Sequence, residues 1–144
     1  MIEEDTIKLL RECDSGIKMG VSSLEEVGEY ATSDNLKRLL TENKIEHEKL
    51  KEEVHKLLYQ YHDEGKNLNP LVKGMSTFKT NMELMMNDSD YKIADIMTDG
   101  CNMGIKSLSK YLNQYKAASE EAKNITKKLI RIEEKLAISL REYL

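Results

Sequence analysis

Apolar residues recur every three or four positions along almost the whole chain. Between residues 5 and 31, Leu10, Ile17, Val21, Leu24 and Val27 share one stripe, the spacing of an amphipathic helix. Residues 32–35 (TSDN) supply turn and N-cap types. A second stripe of Leu36, Leu40, Leu50, Val54, Leu57 and Tyr61 predicts a helix to about His62. Gly65 is placed to cap it, and Pro70 suits the first position of a further helix. Residues 70–87 are amphipathic and Met-rich, predicting a short crossover helix. Residues 87–90 (NDSD) signal another start, and a third long helix is expected to about Lys116. Ser119 is the expected N-cap of a fourth.

Two stretches are nearly the same. GIKMGVSSL begins at Gly16 and GCNMGIKSL at Gly100, 84 positions apart. The likeness continues with a two-residue shift, IEHEKL from Ile45 against RIEEKL from Arg131. Each half therefore reads as a helical hairpin, and the halves read as duplicated: 1–62, a crossover at 63–90, and 91–144. The predicted fold is all-α, a single four-helix domain over 1–144 with one long crossover.

Each repeat carries a glycine pair inside a helix, Gly16/Gly20 and Gly100/Gly104. A helix-interior glycine costs about 1 kcal/mol relative to alanine, so a compensating close approach is expected. One use is tight packing within the hairpin. The other is a homodimer surface built from Gly16, Met19 and Ser23 with Gly100, Met103 and Ser107.

Composition narrows the function. The chain has 144 residues, 33% of them charged, and a formal net charge of −4. A nucleic-acid partner is not expected without a basic footprint, nor a membrane partner without an apolar run of about 20 residues. The acidic start does not resemble a signal peptide, so a cytoplasmic location is expected. Cys13 and Cys101 form no zinc spacing. They read as small core residues that could meet between the first and third helices as free thiols. His62 reads as a helix-terminus cation.

Polar residues on apolar stripes are the candidate chemistry. Asn43 and His47 lie between Leu40 and Leu50, and Glu133 lies between Leu129 and Leu136. His47 and Glu133 are equivalent positions of the two halves, so they are expected to lie close together, with direct contact as one arrangement. A structural hydrogen bond that fixes helix register is the first reading. The alternative is a metal site of His47, Glu133 and Asn43, taking iron, manganese or zinc.

The duplicated hairpins and helical crossover resemble the ferritin-like superfamily, and more narrowly a group of small bacterial ferritin-like domains. Those carry a glycine followed by an aromatic residue in the crossover, as Gly74 and Phe78 do here at closer spacing. The resemblance implies a ferritin-like bundle and, for its di-iron enzymes, a Glu from each of two helices with two Glu-x-x-His motifs. One Glu-x-x-His is present, Glu52 to His55, but Val54 holds the core stripe and the motif reads as solvated charge. The inward residues of the first and third helices (Leu10, Cys13, Ile17, Val21, Leu24; Met97, Cys101, Ile105, Leu108) include no carboxylate. The expectation is a non-catalytic scaffold acting through protein–protein contacts, with no cofactor. A degenerate metal-binding or redox protein is the alternative.

Overall fold

A computed structural model describes residues 2–65 and 89–144. The expected crossover helix at 70–87, with Pro70, Gly74 and Phe78, lies outside the described residues. Four long helices account for most of the rest: α1 (Ile2–Gly28), α2 (Asp34–Gln60), α3 (Ser89–Gln114) and α4 (Glu120–Leu140), followed by a 3-10 turn at Arg141–Tyr143. The chain is all-α, and no strand occurs among the described residues.

Local chemistry sets the helix ends. The Ser33 hydroxyl accepts from Leu36 N–H at 3.3 Å, and Ser119 accepts from Ala122 N–H at 3.2 Å. Both are N-caps that satisfy donors the helix leaves open. The end of α2 differs from expectation. Tyr61 is the cap, and His62, not Gly65, takes the left-handed position after it, with φ 58°. His62 N–H donates to Tyr59 O, and Asp63 N–H to Leu58 O. That pairing is a Schellman motif closed by a histidine. Gly65 is also left-handed, with φ 87°, and its N–H donates to Asp63 Oδ1 at 2.9 Å.

Contacts at the helix ends fix the directions. Ala117 N–H donates to Asp5 Oδ2 and Ser119 N–H to Thr6 Oγ1, so α4 starts where α1 starts. Arg11 pairs with Asp63, bringing the end of α2 there too. At the other end, the Asp90 carboxylate accepts from Thr32 N–H, the Thr32 hydroxyl and Ser33 N–H at 2.7–3.0 Å. Thus α1 and α4 run one way, α2 and α3 the other. Gly65 and Ser89 stand at opposite ends of helices about 40 Å long. Asp90, in the first turn of α3 where the start signal placed it, also ties α3 to the α1–α2 turn.

The core is in two parts. One cluster joins Leu10, Cys13, Ile17, Leu50, Val54, Leu108 and Leu129. The other joins Leu24, Leu40, Met97, Cys101, Leu136 and Leu140. In sequence, Gly20, Asn43 and His47, Gly104 and Glu133 fall between the two sets on their four helices. The apolar core is interrupted there by a polar and glycine layer. Cys13 and Cys101 belong to different clusters, which corrects the expectation that they meet. Cys13 Sγ lies 3.2 Å from the Thr126 hydroxyl, and both thiols are free.

The inward set needs two further corrections. Val21 and Ile105 are only half-buried. Asp14, left off the stripe, is fully buried.

A buried ion pair at the floor of a glycine-lined groove

The middle layer holds the expected pair. His47 is 1% exposed, and its Nε2 lies 3.0 Å from Glu133 Oε1. Its Nδ1 lies 2.9 Å from the carbonyl oxygen of Asn43, one turn earlier on α2. A carbonyl only accepts, so Nδ1 carries hydrogen and donates. Nε2 faces the Glu133 carboxyl group, which accepts the second ring N–H when the imidazole is protonated. Burial alone would push the His47 pKa down. The hydrogen bond and charge of Glu133, with the Asn43 carbonyl, overcome that and hold it above the ordinary histidine value.

Two more polar groups adjoin the pair. Cys101 is buried, and burial raises its thiol pKa; the charge of Glu133 and a hydrogen bond to that carboxylate raise it further. A thiol so held is protonated and a poor nucleophile. Cys13 is also inert, pushed up to about 12 by burial despite its bond to Thr126. Asn43 reaches the carbonyl of Ile132 with Nδ2 at 3.5 Å. Its buried Oδ1 has no hydrogen-bond partner among the described residues.

The glycines explain how the layer fits. A Cβ on Gly20 would lie 2.8 Å from His47 Nε2 and 2.9 Å from Cδ2. Only glycine leaves the imidazole its place. On Gly104 a Cβ would stand 3.7 Å from Glu133, and on Gly16 3.8 Å from Leu129. Both are ordinary contacts. Gly100 faces open space. Of the two uses expected for the glycines, Gly20 fulfils close packing within the first hairpin.

The missing side chains leave a groove between α1 and α3 with a volume of about 250 Å³. Gly16, Met19, Ser23, Gly100, Met103 and Ser107 all line it, and His47, Glu133 and Cys101 are among its lining residues. Met103 is 66% exposed at its rim.

A second buried charge was missed by sequence reasoning. Asp14 Oδ2 pairs with Lys18 Nζ at 2.8 Å, and Oδ1 with His55 Nε2 at 2.6 Å. A Cβ on Gly65 would collide with Asp14 Oδ2. His55 is therefore not simply part of a solvated charge pattern, although Glu52 beside it is exposed. The available signal was position: Asp14 sits four residues after Leu10 and three before Ile17, on the buried face.

Of the candidate metal set, His47 Nδ1 is committed to the Asn43 carbonyl and Nε2 faces Glu133, while the buried Asn43 Oδ1 has no hydrogen-bond partner among the described residues. Among the described residues, no group of three or more His, Cys, Asp or Glu side chains is arranged to hold a metal ion. No described helix is long and apolar enough to cross a membrane. Comparisons with known protein families, with curated proteins and with solved structures find no match.

Proposed function

We propose that this chain is a non-catalytic helical scaffold of ferritin-like type that acts through protein–protein contacts. Its contact surface is the α1/α3 face, and a second copy of the chain is the partner. The observation that carries this reading is the convergence of six repeat residues on one open groove. Met19 and Met103 come from equivalent places in the two repeats, on helices that run in opposite directions. The same short pattern therefore lines both walls, which suits the self-complementary contact of a two-fold dimer. Methionine at its rim is adaptable contact material. The direction of the four helices, with α2 and α3 parallel, is the order a ferritin-like bundle with one long crossover requires.

The chemistry nearby supports a non-catalytic role. Both His47 nitrogens are engaged, and the two cysteines are held as thiols. Sedimentation velocity across a concentration series tests the reading. The wild-type chain should reach twice its 16.6 kDa mass, and Met103→Glu should shift it to the monomer. A wild-type chain that stays monomeric at all concentrations would contradict it.

A further inference from the structure

The groove has a floor as well as a rim, and the floor has the makings of a binding site. Its walls are mostly apolar, with the thioethers of Met19, Met97 and Met103 and the side chains of Leu129 and Leu136. Two ionisable groups, His47 and Glu133, adjoin it in the middle layer, as expected of a small-molecule pocket. A volume of about 250 Å³ exceeds the roughly 150 Å³ that suffices for benzene in an aliphatic cavity. It accommodates one aromatic ring with a short substituent.

The charge of the lining selects among such molecules. Glu12 and Glu133 line the groove, with His47 the one histidine, and no lysine or arginine occurs among the described lining residues. Among the described lining residues an anion would meet these two carboxylates, with only the hydroxyls of Ser15, Ser23, Ser107 and Tyr111 and an already engaged imidazole to receive it. A donor would find a partner. A carboxylate offers about four acceptor positions, and His47 and Cys101 engage Glu133 with one hydrogen bond each. Glu133 Oε2 borders the space that a Gly104 side chain would fill, 3.7 Å from its Cβ position. Methionine sulfur also favours the edges of aromatic rings.

We propose that the floor of the α1/α3 groove binds a small aromatic molecule that carries an N–H donor and no negative charge. The ring lies between the methionines, and the donor reaches Glu133 Oε2. This site shares Met19 and Met103 with the proposed self-association surface, and the two readings are separated by measuring binding and oligomeric mass on the same samples.

Calorimetric titration of the full chain tests it, with indole as the neutral probe, phenethylamine as the cation and benzoate as the anion. Methyl NMR of the methionines reports the place. Indole or phenethylamine should bind saturably, one per chain, and shift the Met19 and Met97 methyl signals by ring current. Benzoate should not. Gly104→Leu fills the space above Glu133 and should weaken binding at least tenfold. Gly100→Leu, at a position facing open space, should do the same in a chain that circular dichroism shows to be folded. Absence of saturable binding by both indole and phenethylamine would overturn the proposal. So would affinity unchanged in both leucine variants, or benzoate binding as tightly as the other two. Sedimentation of the same samples reports self-association separately, so loss of the dimer reading leaves the titration result standing.

Discussion

Gly20 and Gly104 occupy the same place in the two repeats, yet they do different work. Gly20 lies against the ring of His47, where a single methyl group has no room. Gly104 lies against Glu133 at a distance that an alanine would share comfortably. The polar partner differs as well. His47 is almost fully enclosed, while Glu133 is 13% exposed and borders the groove. Similar sequence in the two halves therefore hides one steric requirement and one open space. The first half clamps the imidazole; the second leaves the cavity.

The largest effect should come from separating the pair. Glu133→Ala leaves His47 buried with an unpaired Nε2, and stability should fall by about 2–3 kcal/mol in urea unfolding. The imidazole can shed its proton to limit the loss, which keeps it below the worst cases. A variant as stable as wild type would show that the pair holds nothing together.

Gly20→Ala should come next. Overpacking typically costs about 1–3 kcal/mol, and the helix gains about 1 kcal/mol from losing a glycine. The net loss should fall within about 0–2 kcal/mol, toward the upper end because the ring is tied at both nitrogens and cannot swing away. Gly104→Ala has no such clash and should be neutral or stabilising by up to about 1 kcal/mol. Equal effects at the two positions would erase the distinction between the halves.

The smallest effect is the dependence on pH. His47 binds its proton more tightly folded than unfolded. Its contribution to stability is therefore complete below the unfolded value of about 6.5. It is lost as pH rises through the higher folded value. The chain has two other histidines, so the difference between wild type and Glu133→Gln isolates this part. The downward slope above pH 6.5 should be shallower in the variant.

Much of this was legible in the sequence, for stated reasons. Stripes at helical spacing give the four helices, and serines before them give two caps. The repeat, with its two-residue shift, aligns His47 with Glu133 and so brings the pair together on paper. What could not be read was the partner of each glycine. A glycine signals close approach, but a neighbouring helix and a neighbouring imidazole leave the same mark in sequence. Asp14 escaped because a carboxylate beside Cys13 and Ser15 shows no partner in the sequence that would allow its burial. Its partners, Lys18 one turn later on α1 and His55 on another helix, emerge only in three dimensions. The cap of α2 was assigned to Gly65 because His62 takes a left-handed position where glycine is the common choice.

The most direct test of the central claim is the protonation of His47, read by ¹⁵N NMR of the imidazole across pH. If Glu133 and the Asn43 carbonyl hold a buried imidazolium, both nitrogens should carry hydrogen at pH 6.5. The titration midpoint should then lie above 6.5 and fall in Glu133→Gln. A ring that is neutral at pH 6.5, with a midpoint indifferent to Glu133→Gln, would contradict the paired layer on which the groove rests.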